Sequence, residues 1–375
     1  MTSFFPTMRM KTGLCEEEDD MFNIHGHVGN HSRSSILESL RKIIKSRTED
    51  KTKEVVTIGD FGTADGRASL CLINDMIYTI KAGLGEKQAI VLCYNDQPMN
   101  DFNRLIEVIR GNGQKSGLAL GSDIYPVIIP RCMYGVCLPY NSMDLAISSV
   151  ATHYLSKQVC QIKNGISLGE ADEGEQLLIR EQAKADWRTF VISRGRELKP
   201  GGYLVTMNVS SDEHDDEARF VEKGTTCVAS FVTDMAKDGV ITQEEYRATN
   251  FNSHYLRKAA DFQEPFNSDL PEIKELGLEL VSMKPIKHYL QYPTFDIVNK
   301  DYVEKMDYSQ RIVSSIYPWM YHVLHGGLSE SRTEEEKQAV IDNYFDRLRE
   351  YVLAHSDHKP YVIHTEVVIK KKKTA

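Results

Sequence analysis

The sequence predicts an α/β protein: a doubly wound, mainly parallel sheet carrying a mostly helical cap. Three observations predict it. Apolar, β-branched segments alternate with segments of helical period up to Val209, and repeated βα units build parallel sheets. A glycine-bearing turn, Asp60-Phe61-Gly62-Thr63-Ala64-Asp65-Gly66, follows the first strand, at the edge where such sheets bind ligands. Past an acidic loop, Asp212–Glu217, the pattern turns helical.

Taken in order, residues 1–22 lack a periodic pattern and read as disordered. Ser34–Ser46 places Ile36, Leu37, Leu40, Ile43 and Ile44 on one helical face. Glu54–Phe61 reads as a buried strand, Ala68–Ala82 as a helix with Leu70, Ile73, Ile77 and Ile80 inward, and Ala89–Tyr94 as a second strand. Asp101–Arg110 reads as a short helix, and Val127–Ile129 and Met143–Ser149 as further strands. A long helix, Glu175–Leu198, stops at Pro200-Gly201-Gly202 before the strand Tyr203–Val209. Phe220–Lys237, Gln243–Arg247, Tyr308–Leu324 and Thr333–Ala354 read as helices, and Tyr361–Lys370 alternates at the strand period. The expected division is a disordered segment 1–22, a ligand-binding α/β core 23–211, a mostly helical cap 212–358 that returns to the core, and a final strand with a basic tail, 359–375.

A chain of 375 residues can bury a large core. Its formal net charge of -9 disfavours nucleic acid as a partner, because neutralising phosphates requires a dense basic face. No apolar run is long enough to span a bilayer, and the N-terminus has no signal-peptide core, so the expected compartment is the cytoplasm. The seven cysteines include no CxxC pair, so they signal neither a zinc site nor a disulfide framework. Lys370–Lys373 reads as a solvated tail, with a nuclear address as the alternative.

The chemistry concentrates in the first turn. A dinucleotide fingerprint would be GxGxxG, with pyrophosphate on the helix amino end. Here the glycines are Gly62 and Gly66, and Asp60 precedes the first by two residues. An acid there would repel pyrophosphate but suits a cofactor with a cationic amino-acid end, such as S-adenosylmethionine. The plainer reading is a tight βα turn with a helix-capping aspartate. Asp96 ends the second strand, where an acid can accept both hydroxyls of a ribose; capping the helix that begins at Asp101 is its plainer role.

With these residues in view, the chain resembles the SABATH methyltransferases, a family of carboxyl and N-methyltransferases of small molecules. The resemblance runs through Asp60–Gly66, Asn95-Asp96-Gln97-Pro98-Met99-Asn100-Asp101-Phe102-Asn103, Ser148–Ser156, Arg194–Met207 and Asp238–Ile241 leading to Asn250–Tyr255. It implies a class I methyltransferase fold, S-adenosylmethionine as cofactor, a small-molecule methyl acceptor and a homodimer. On the family's motifs, Asp60, Gly62, Thr63 and Gly66 fall on the cofactor turn, and Asp96 on the ribose acid with Gln97 beside it. Cys132 and Met133 stand where a Ser-Phe pair faces adenine, and Ser32 matches a serine near the cofactor. Ser35 replaces a glutamine, and Tyr154 a tryptophan, that hold the acceptor carboxylate. Thr249-Asn250-Phe251-Asn252 lacks the aspartate of a magnesium-associated string, so no metal is expected.

A carboxylate acceptor needs no general base, and no nucleophile elbow is present. His153 could act as a base or as a hydrogen-bond donor to the acceptor, or could simply pack at a strand end. Arg131, Tyr134 and Trp319 are further pocket candidates for which packing is the stronger expectation. The leading expectation is carboxyl O-methylation of a small organic acid. The alternatives are methylation of nitrogen or sulfur, and a catalytically inactive S-adenosylmethionine-binding regulator.

Overall fold

The computed structural model describes residues 24–51, 54–111, 117–119, 121–211, 220–249, 254–289, 302–355 and 361–373. In chain order the elements are α1 (Ile24–Glu49), β1 (Val56–Phe61), α2 (Arg67–Leu84), β2 (Ile90–Asp96), α3 (Phe102–Arg110), β3 (Ile124–Pro130) and β4 (Met143–Ser149). There follow α4 (Glu173–Glu197), β5 (Leu198–Val209), α5 (Phe220–Lys237), α6 (Gln243–Ala248), α7 (Ala259–Asn267) and α8 (Pro271–Glu275). The last are β6 (Leu278–Tyr289), α9 (Tyr302–Gly327), α10 (Glu334–Ala354) and β7 (Tyr361–Lys371).

The sheet has seven strands in the order β3-β2-β1-β4-β5-β7-β6. Strands β1 to β5 pair in parallel, and β7 lies antiparallel between β5 and β6. Because side chains alternate across a strand, neighbouring positions serve opposite faces. Ile58, Leu92, Leu145, Ile147 and Val205 face α1 and α2, where Leu40, Ile73 and Ile80 meet them. Phe61, Cys93, Ala146, Leu204 and Val367 face α4, α7 and α8, packing on Trp187, Phe190, Phe262 and Ile273. A separate apolar cluster joins α5, α9 and α10 through Val232, Ile312, Met320, Ile341 and Tyr344. Val209 and Val362 belong to that cluster, so the helical cap is seated at the carboxyl end of β5.

The predicted elements are present, and the additions have identifiable causes. β6 escapes the strand pattern because Lys284, Pro285 and Lys287 interrupt it; as the sheet's edge strand it tolerates proline. It pairs with β7 along its length, with one irregularity between Leu280 and Ser282. α7 carries Pro265 inside it and α8 is a single five-residue turn, so neither shows a helical pattern. Pro200-Gly201-Gly202 does not precede β5 but lies inside it, at a register shift against β4, with Gly201 at φ +87°.

The lysine run is corrected too. Lys370 and Lys371 belong to β7, and the Lys371 ammonium donates to Asn141 Oδ1 (2.8 Å) and to the carbonyls of Gly195 (2.8 Å) and Leu198 (2.9 Å). Lys372 pairs with Glu279 and Lys373 with Asp50 at the surface, so the run begins inside the sheet and its last two lysines are solvated. No helix among the described residues is long and apolar enough to cross a membrane.

Candidate active site

The carboxyl ends of β1 and β2 are tied together by Asn95 and Asp96. The Asn95 carbonyl accepts from the N–H groups of Gly62 (2.9 Å) and Thr63 (3.1 Å). Asp96 accepts from the Ala64 N–H at Oδ2 and the Gln97 N–H at Oδ1, each at 2.7 Å. The Asn100 amide closes the loop by donating to the Ala64 carbonyl at 2.8 Å. Asp96 is therefore not the cap of α3. Asp101 fills that role, accepting from the N–H groups of Asn103 and Arg104. Burial raises the Asp96 carboxyl above its ordinary range, against the two backbone N–H bonds. Each of its oxygens has a lone pair left for a ligand hydroxyl.

Asp60 is buried one turn away. The Ser69 hydroxyl, in the first turn of α2, donates to it at 2.7 Å. It does not cap α2, whose N-cap is Gly66 without a side-chain bond. Burial pushes the Asp60 carboxyl up to about 6, with the neighbouring Asp96 charge acting in the same direction. Ionising a buried acid is costly, a cost that a cation placed beside Asp60 would offset. The buried Thr63 hydroxyl lies beside it and, with Ser69, opposes that rise.

Glycine is required in this turn. Gly62 sits at φ +80°, and a Cβ there would lie 2.3 Å from the Ala151 Cβ. The same hypothetical atom would be 3.9 Å from Met133 Sδ, which places the Cys132-Met133 segment beside the turn. That segment is clamped from below. Arg194, wholly buried, donates to the carbonyls of Met133 (2.6 Å) and Gly135 (2.8 Å) and pairs with Glu197 at 2.7 Å. Glu197 in turn accepts from the N–H groups of Cys137 and Leu138, and the Arg194 guanidinium lies 3.9 Å over the Phe61 ring.

The second half of the site forms where β4 and β5 end. Val150, just after β4, holds φ +55°, a strained conformation for a β-branched residue and one that clusters at functional sites. The chain then turns through Ala151–Tyr154. His153 and Tyr154 meet at a tilt of 41° with ring centroids 4.1 Å apart, and both lie mostly inside the protein. Residues His254–Arg257 run between the two strand exits. Tyr154 and His254 form an antiparallel bridge, Tyr255 N–H donates to the His153 carbonyl (2.8 Å), and Ser211 N–H donates to the Arg257 carbonyl (3.0 Å). Burial lowers the His254 imidazole to about 4, so the ring is neutral at pH 7.

Of the other residues singled out from the sequence, Ser32 is buried on α1 and Gln97 is half-buried beside Asp96. Ser35 donates to Glu366 of β7 at 2.7 Å. Tyr134 is structural, its hydroxyl donating to the carbonyls of Thr152 and Tyr154. Arg131 is exposed. The Trp319 side chain and Asn250–Asn252, on which the expectation of no metal rests, lie outside the described residues. Sequence reasoning passed over Asn95, Asn100, Arg194, Glu197 and His254 as site residues. All five lie inside motif segments already noted, His254 within Asn250–Tyr255, but residue type and spacing there do not show which side chains face the site.

Known proteins accord with this geometry. The family model described as SAM dependent carboxyl methyltransferase matches residues 10–372. The chain is 24% identical over 344 residues to a jasmonate O-methyltransferase of Arabidopsis thaliana, covering 82% of this chain and 86% of that one. It is 25% identical over 224 residues to a farnesoic acid carboxyl-O-methyltransferase of the same plant, covering 56% and 62%. A solved structure of a loganic acid methyltransferase with SAH superposes with a TM-score of 0.70 at 17% identity, over 96% of this chain and 98% of that one, and so shares the fold. With a match over nearly its whole length, the chain belongs to the S-adenosylmethionine-dependent carboxyl methyltransferase family.

Proposed function

We propose that this enzyme methylates the carboxylate of a small organic acid. The observation that carries the reading is the pair of a buried Asp60 and a half-buried Asp96 at neighbouring strand ends around a turn that needs glycine. In this assignment Asp60 and Thr63 hold the cationic amino-acid end of S-adenosylmethionine, and the remaining Asp96 lone pairs take the ribose hydroxyls. Gly62 and Gly66 let the backbone approach, with Ser32 and Gln97 flanking, and Cys132 and Met133 wall the adenine. The buried Thr63 hydroxyl and the elevated Asp60 carboxyl both fit a cationic ligand.

When bound, the cofactor supplies a methyl on a positively charged sulfur: an O–C bond forms as the C–S bond breaks, sulfur keeps the electron pair, and no proton moves. The protein's work is then alignment and exclusion of water. His153 and Tyr154, at the end of β4, are assigned to the acceptor side. Because a carboxylic acid is ionised well below pH 7, His153 acts by contact rather than as a base. The relatives that methylate jasmonate and farnesoic acid support an acid acceptor. The net charge of -9 supports a small molecule over nucleic acid. The homodimer and the cytoplasmic location expected from the sequence belong to the same proposal, to be checked by light scattering and by cell fractionation.

One observation favours a second reading. Glu366 is buried against Ser35, and a carboxylate there suits a nitrogen acceptor better than an acid. Incubation with labelled S-adenosylmethionine and a panel of aromatic, terpenoid and fatty acids, including benzoate, jasmonate and farnesoate, separates the two. A product that loses its methyl in mild base is an ester. A base-stable product, or turnover only with amines, overturns the first reading.

A further inference from the structure

We propose that His254 donates a hydrogen bond to the acceptor's carboxylate, with the Tyr154 phenol as its neighbouring donor. The inference rests on the acid-methylating reading above and names the groups that would recognise the acid. Paired residues of an antiparallel bridge project their side chains to the same face, so the Tyr154–His254 bridge directs these two side chains to one face. The segment carrying His254 is fixed on both flanks, by Tyr255 N–H on the His153 carbonyl and by Ser211 N–H on the Arg257 carbonyl. Arg257 anchors it further: its buried guanidinium donates to the carbonyls of Thr152 and Ala183. His254 is thus held where β4 and β5 end, on the same side of the sheet's edge as the cofactor turn.

The donors left near the end of β4 include these two and the buried Ser149 hydroxyl. An acid needs donors facing it, and most hydroxyls around the strand ends are engaged elsewhere. Ser35 donates to Glu366, Ser148 to the Phe61 carbonyl, Thr152 to Asn208, and Tyr134 to two backbone carbonyls. Ser210 is paired with Thr365. Glu366 would repel a second carboxylate on the Ser35 side. Among the described residues, neither a ring nitrogen of His254 nor the Tyr154 hydroxyl has a hydrogen-bond partner. Burial keeps the His254 imidazole neutral before the acid arrives, so it carries an N–H donor without a buried charge. The segment also explains why no donor from α1 is needed: the recognising group comes from the chain after α6.

The test compares wild type with His254→Ala, His254→Gln and Tyr154→Phe, using benzoate, jasmonate and farnesoate as acceptors and calorimetry for S-adenosylmethionine binding. His254→Ala is expected to raise the acid's KM roughly tenfold or more, the scale of a lost bond to a charged group, with cofactor affinity within about twofold of wild type. His254→Gln, which keeps an N–H donor, should recover much of the loss, and Tyr154→Phe should show a smaller rise of the same kind. An unchanged KM in His254→Ala, or equal losses of acid and cofactor binding, overturns the inference while leaving acid methylation standing. If wild type methylates none of the acids, the functional reading fails, and this assignment fails with it. Should the alanine variant not fold, the glutamine and phenylalanine variants decide: KM values equal to wild type in Tyr154→Phe, with no recovery of function in His254→Gln, count against it.

Discussion

The Ser35 hydroxyl donates to the Glu366 carboxylate across 2.7 Å, pinning the first helix to the last strand of the sheet. Glu366 is 2% exposed, and its nearest cation, the Lys284 ammonium, stands 4.0 Å away. Ser35→Ala leaves a buried carboxylate without its hydroxyl donor and should cost ~1–3 kcal/mol. Urea unfolding measures that loss. Acid KM in the same variant should stay within about twofold of wild type, because the serine proton faces β7; a large rise would put Ser35 back among the acceptor contacts.

Asp96→Ala removes both the acceptor of two backbone N–H groups and the lone pairs assigned to ribose. Cofactor affinity should fall by ~1.5–3 kcal/mol, the worth of bonds to a charged acceptor. Asp101→Ala is the control. It strips the α3 cap, should cost ~0.5–2 kcal/mol of stability, and should leave the calorimetric cofactor affinity alone.

Asp60 gives the unliganded protein an inverted pH dependence. Its folded pKa of about 6 lies above the unfolded value of 3.8, so between these values the folded state binds more protons than the unfolded one. This group's contribution is therefore most favourable below the unfolded value and is lost as pH rises through about 6. The full shift corresponds to an order-of-magnitude penalty of ~3 kcal/mol above that pH. Asp60→Asn should melt higher than wild type at pH 8, with the gap closing toward pH 4, while losing cofactor binding. Equal melting temperatures across the range would remove the assignment.

Glu245 behaves in the opposite sense. It accepts from Arg332 at 2.6 and 2.8 Å and from the N–H groups of Ser329 and Thr242, which hold its carboxyl down at about 2 against burial. The contribution is present above the unfolded value of 4.5 and lost as pH falls toward 2. Glu245→Gln should destabilise the protein at pH 7 by a few kcal/mol, ~3 at most, and flatten the acid limb of its unfolding curve.

Much of the scaffold was legible because its signals are local. Leu40, Ile73 and Ile80 declare their buried faces by spacing alone, and Gly62 marks a turn that admits no side chain. The site was half legible for the same reason. Asp60 and Asp96 sit within a few residues of the glycines that give them meaning. His254 meets Tyr154 only through a tertiary bridge, and Arg194 shapes the Met133 loop from another helix; neither relation has a sequence period. Tyr134 and Ser35 show the converse, since a hydroxyl named from the sequence can be turned to the backbone or to another strand.

The placement of β7 between β5 and β6 has a consequence for biosynthesis. A ribosome delivers β6 well before β7, yet β6 has no other neighbour in the sheet. The two inner edges must wait, unpaired and open to misassociation, until residues 361–371 emerge and close the gap from both sides. Closure of the sheet thus waits for β7 whatever folds before it, and clipping only those residues should release β6 and the cap anchor at Val362 together.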